Sequence, residues 1–180
     1  MAAKTLTSEE LCKSFNTRFI QLLNSLQQKA NADVDNFQQQ IAIANAGIAN
    51  GTTTQEQIST LDQHMRSAGD MADIIKINGN KSRTAMNADE TYLIRKVGQQ
   101  VYKYREKIVS RDEGFLNEVN YKDLINNKSS QLDNHEHQKM FNYIRIMYST
   151  ADVTERDVIY KSVCQLLALY VNYRLKKISA

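Results

Sequence analysis
Proline is missing from this 180-residue sequence, where average usage of roughly 5% would supply about nine. Glycine is scarce at six, and tryptophan is absent. Barrels and sandwiches need frequent Gly and Pro turns, so the composition argues against both. Long helices with short connections are the alternative. Hydrophobic residues make up 42% and charged residues 24%, a balance that suits a folded domain rather than a disordered chain. No apolar run approaches the roughly 18 residues of a membrane span. The opening MAAKTLTSEELCKSF lacks the apolar core of a signal peptide, so secretion is not expected. Cys12 and Cys164 stand near opposite ends among apolar residues, where free cysteine acts as a small hydrophobe. A disulfide between them needs geometry that no sequence supplies, and the expected setting is a reducing compartment.

The net charge of +3 identifies no partner. It is unevenly spread, however. Residues 1–80 carry 6 Lys and Arg against 8 acids, and residues 81–180 carry 17 against 12. The length suits one helical domain, with an N-terminal helix and hairpin in 1–80 and a basic helix and helical pair in 81–180.

The expected class is all-α, a bundle of five to six helices with more than about 60% helix and no sheet. Thr7 and Glu10 form a capping box, with Leu6 and Leu11 as its hydrophobic staple. Leu11, Phe15, Phe19, Leu22 and Leu26 then recur at helical spacing, which predicts a helix over about 8–30. Val34, Phe37, Ile41, Ala44 and Ile48 predict a second helix that stops at Asn50-Gly51. A box of Thr53 and Glu56 opens a third, with Ile58, Leu61, Met65, Ala68 and Ile75, ending at Asn78-Gly79. The second and third are expected to pair as an antiparallel hairpin.

Residues 80–88 read as a loop or a frayed turn. Asn87 and Glu90 cap a fourth helix carrying Leu93, Val97, Val101, Tyr104 and Ile108. After Ser110 the pattern breaks into turns with one short helix. A pair of helices closes the chain, one from about Asp133 to Tyr148 and one from Thr154 to about Lys177. The latter contains VIYKSVCQLLALYV, apolar on more than one face, and is expected to be the central helix.

No phosphate loop, nucleophile elbow or C-x-x-C pair is present, and no cofactor is implied. The histidines are His64, His135 and His137. On a helix, His135 and His137 point about 200° apart and cannot share an ion. Asp133 and His137 could share one, but two ligands make a poor site. Asp133 as N-cap with Glu136 completing its box accounts for the cluster without metal. No residue set points to catalysis.

The basic stretch is more informative. Arg95, Lys96, Lys103, Arg105, Lys107 and Arg111 are opposed within their predicted helix by Glu106, with Tyr102 and Tyr104 interleaved. Cations give affinity for a nucleic-acid backbone or an acidic partner, and rings can stack on unpaired bases. Helical geometry spreads these cations around the barrel, and a solvated face is the simpler account of them. Arg174, Lys176 and Lys177 sit where positive charge complements a helix C-terminus.

The hairpin offers a different surface. Between Val34 and Leu61 the only charges are Asp35 and Glu56. Gln38, Gln39 and Ala46 mark its uncharged outer face, which suits a protein interface or burial against the rest of the chain. The segment Leu61–Met71 loosely resembles the death-motif helices that insert into grooves of Bcl-type survival proteins. Small residues precede Asp70, the residue that would meet an arginine, while Met65 stands where leucine is typical. The hairpin core needs the same stripe.

Residues 100–175 resemble small helical proteins of large cytoplasmic DNA viruses, the giant-virus group. The likeness is carried by Lys107-Ile-Val-Ser-Arg-Asp-Glu-Gly-Phe-Leu116, by Met140–Tyr148, by Ile159-Tyr160-Lys161 and by Cys164–Leu169. It implies a helical structural role in a virion or virus factory within the host cytoplasm, and it transfers no catalytic residue. The leading expectation is therefore a non-enzymatic assembly protein acting through protein contacts, itself among the possible partners. A nucleic-acid-binding accessory is second, and a host-interaction factor using Met65–Asp70 is third.

Overall fold
The computed structural model describes residues 6–112, 114 and 151–178. Helix accounts for 88% of them, and no strand occurs among them. The helices are α1 (Ser8–Ile48), α2 (Gln55–Ala88), α3 (Tyr92–Lys103), α4 (Arg105–Val109) and α5 (Val153–Ile178). The fold is all-α, as composition and periodicity lead one to expect. The expected helix over 133–148, its Asp133–His137 cluster and the turns after Asp112 lie outside the described residues.

Two helices are longer than their sequence signals. The expected break at residues 31–33 is absent, and α1 runs unbroken for 41 residues. Ala30 is fully buried and links Leu26 to Val34, so the apolar stripe never lapses. The Lys29 ammonium donates to the buried Asp33 carboxylate at 2.6 Å, one turn further on. Asn31 and Asp33 are weak helix formers, but the packing on either side overrides that preference.

Likewise α2 does not stop at Asn78-Gly79 but continues through the expected 80–88 loop to Ala88. Asn50-Gly51 does end a helix, because Gly51 adopts φ +68° and Thr52 N–H returns to the Gly47 carbonyl at 3.0 Å. Gly79 is buried in ordinary helical conformation. Beyond it, Arg83 reaches Asn24 on α1 at 3.1 Å, and Met86 packs against a core cluster.

The starts of α1, α2 and α5 follow the capping-box rule, two of them shifted from the expected position. Thr7 N–H donates to Glu10 at 2.7 Å, and Glu10 N–H donates to Thr7 Oγ1 at 3.1 Å. Leu11 of the expected staple is buried while Leu6 stays exposed. The second box is Thr54 with Gln57, one residue beyond the Thr53–Glu56 pair that the sequence suggested. Asp152 and Glu155 form a third ahead of α5, which starts at Val153 rather than Thr154.

The predicted Asn87–Glu90 cap does not form. Asn87 lies inside α2, and Thr91 precedes α3 without a side-chain cap. Asp89 instead accepts from Thr91 N–H at 2.8 Å and from Thr91 Oγ1 at 2.7 Å. These bonds hold its carboxyl below the usual range, so the arrangement persists at neutral pH and is lost on acidification.

The described residues form two compact units, the first of residues 6–24, 78–112 and 151–178, the second of 25–77. In the second, Phe37 meets His64 edge-on at 5.5 Å, and Val34 lies opposite Gly69. These pairs are nearly equidistant from the turn at Gly51, which defines the antiparallel hairpin. In the first, Leu11, Cys12 and Phe15 of α1 meet Leu93 and Ile94 of α3 and Leu166, Tyr170 and Tyr173 of α5. Only one face of α5 is buried, and Val153, Val158, Leu175 and Ile178 are exposed. Its apolar content does not make α5 the surrounded central helix expected from sequence. A layered core shared by α1, α3 and α5 replaces that picture.

Candidate functional site
The predicted basic helix is two helices. Tyr104 leaves helical geometry at φ −100° and ψ 15°, so α3 ends at Lys103 and α4 begins at Arg105. All six predicted cations are exposed, but they do not form one face. Arg95 pairs with Asp89, just before α3, and Arg111 with Asp157 on α5. Asp89 stands six residues before Arg95 and Asp157 lies on α5, so counting charges between Arg95 and Arg111 overstates the positive field of that stretch. Arg111 lies outside α4 at φ 50°, with its guanidinium 5.5 Å from the Tyr160 ring. Tyr160 donates to the Lys107 carbonyl at 3.1 Å. Lys96 and Lys103 carry no ion pair among the described residues.

The structure adds a grouping that sequence order conceals. The guanidinium carbons of Arg105 on α4 and Arg174 on α5 each lie 4.7 Å from the centre of the Tyr102 ring. Tyr102 in turn packs on Tyr170 at 5.7 Å, and Lys177 stands 5.4 Å above Tyr173. Cation–ring contacts at such distances hold long side chains in place. Arg174 reads in sequence as a helix-end charge, and only the meeting of α3 with α5 brings it to Tyr102. That meeting depends on Gly98, whose missing side chain leaves room for the Tyr170 ring.

The uncharged surface is at the hairpin tip. Gln38, Gln39 and Ala46 are exposed there, with Ile43 at 73% and Ile48 at 42% exposure. Ile48 belongs by periodicity to the core stripe and is nonetheless exposed, while Ile43 falls outside that stripe. Met65 and Asp70 are half-buried, and neighbouring Ala68 and Met71 are buried. The death-motif stripe thus supplies core residues of the second unit, and its anchors do not project together into solvent.

Two open grooves of about 660 and 690 Å³ flank the Lys13–Thr17–Gln21 line of α1. Ser14 and Thr17 supply hydroxyls to their linings, but no hydrogen bond joins either to a base among the described residues, and Lys13 is held by Glu9 at 2.6 Å. No group of three metal-ligating side chains occurs among the described residues. No described helix is long and apolar enough to cross a membrane.

Both cysteines are free thiols. Burial raises the Cys12 thiol, and the Glu90 carboxylate adds to the effect. Iodoacetamide should therefore modify half-buried Cys164 well before Cys12 in the native protein. Peptide mass spectrometry would check this, and equal labelling would mean that the core opens around Leu11 and Phe15. No family model, curated protein or solved structure matches the chain.

Proposed function
We propose that this chain is a non-enzymatic assembly protein that works through protein contacts made at the tip of the α1–α2 hairpin. The observation that carries the reading is an exposed surface almost free of charge. Gln38, Gln39 and Ala46 are exposed on the last three turns of α1, and so are two isoleucines, Ile43 and Ile48. Helix faces that stay in water are normally covered by mixed Lys and Glu. Amides and small side chains lose less on dehydration than charges do, so a partner can cover this face at lower cost. The likeness of residues 100–175 to giant-virus proteins supports a place in a virion or virus factory, as a capsid-associated or similar structural component.

Sedimentation velocity tests the reading. The wild-type chain is expected to self-associate, or to take up a protein from infected-cell extract. Gln39→Lys with Ala46→Lys should abolish this without loss of helicity. A wild-type chain that stays monomeric and takes up nothing defeats the proposal.

A further inference from the structure
We infer that Arg105 and Arg174, arrayed around the Tyr102 ring, bind the phosphate backbone of single-stranded nucleic acid, a role separate from the hairpin tip. Two guanidinium groups held at one ring raise the local positive potential, and anions bound along them offset it. Each is a planar fork of donors that fits a phosphate with paired hydrogen bonds, and stacking restricts the fork before any ligand arrives. The nearest acid among the described ion pairs is Glu106, 3.3 Å from Arg105 and largely in solvent. It offsets one cation in part and does not cover the site.

The surroundings favour a polymer over a small anion. Arg105 and Arg174 are both exposed, so the site is open surface. An open surface holds a ligand only by summing several modest contacts. Exposed Lys103 stands two residues before Arg105, and Lys177 lies about one turn beyond Arg174. A strand of phosphates can engage this series, whereas a single phosphate meets only its centre. Tyr102 is already engaged by the two arginines and Tyr170, so the site reads backbone rather than base. Duplex recognition by an inserted helix is not supported, because α4 is five residues long and α3 is committed to the core.

Fluorescence anisotropy with a labelled oligothymidylate at low salt tests this directly. Binding should weaken steeply with salt, with a log–log slope of about 0.7 per phosphate neutralised. Arg105→Gln with Arg174→Gln should reduce affinity roughly tenfold or more and flatten that slope by about one to two. Arg105→Lys with Arg174→Lys should fall between, because charge remains while the fork is lost. The control is Arg66→Gln with Lys76→Gln, which removes equal charge from the second unit and should leave binding nearly unchanged. Circular dichroism of each variant confirms that it is folded. Three results would each overturn the inference: no wild-type binding at low salt, an unaffected Arg105/Arg174 variant, or equal weakening by the control. Binding to phosphatidylserine vesicles without binding to the oligonucleotide would overturn it as well. None of these depends on whether the hairpin tip assembles.

Discussion
Phe15→Ala is expected to destabilise the protein by about 3–5 kcal/mol, and Leu166→Ala by about 2–5 kcal/mol. Phe15 has no exposed surface, and Leu166 is 1% exposed. They belong to the cluster where α1, α3 and α5 meet, so removing either leaves a hole with walls on three helices. Helix backbones close such holes poorly, and the lost contacts add to the lost transfer energy. Urea unfolding followed by circular dichroism measures the effect as a lower midpoint. A loss under about 1 kcal/mol at both sites would mean that this core is loosely packed.

Gly98→Ala should also destabilise, although alanine is the better helix former by about 1 kcal/mol. A Cβ at position 98 would lie 2.3 Å from Tyr170 Cδ2 and 2.8 Å from its Cγ. The ring cannot swing aside easily, because Tyr102 packs on it and Tyr170 is itself buried. Overpacking of this kind costs about 1–3 kcal/mol and outweighs the gain in propensity. Thermal unfolding would register it as a fall of a few degrees. An unchanged or raised midpoint would show that α3 and α5 can move apart freely. Gly69→Ala is the comparison, since its Cβ would meet only Val34 at 4.0 Å.

Much of this fold was legible in the sequence. The stripes of Leu11 and Phe15, of Phe37 and Ala44, and of Leu93 and Ile108 all supply buried residues. Helix ends were harder to read. Asn50-Gly51 and Asn78-Gly79 carry the same local message, yet only the first ends a helix. What separates them is tertiary: Arg83 and Met86 have partners in the first unit, while the residues after Gly51 turn back along α1. The stretch at Asn31–Asp33 misleads for a related reason, since alanine at position 30 fills a core site that apolar periodicity leaves uncounted.

The candidate surfaces divide in the same way. The uncharged tip is a property of contiguous residues and was readable. The basic stretch was readable as composition but not as a surface. Its acids, Asp89 and Asp157, lie outside the stretch from Arg95 to Arg111, and the helix breaks at Tyr104. Arg174 joins Arg105 only through a contact between residues far apart in the chain, a relation that helical periodicity does not encode.

The capping boxes bear on the order in which the chain folds. At Thr7, Thr54 and Asp152 the box closes between residues three apart, before any distant segment has to arrive. Such short-range bonds form early, because little chain entropy is lost in closing them. Helices α1, α2 and α5 can therefore begin locally. For α3 there is no side-chain cap, and its buried residues find partners only once α1 and α5 are present. It is expected to be the last of these four to become ordered, so mutations in α3 should mainly speed unfolding, while loss of the Thr7 or Asp152 cap should slow folding.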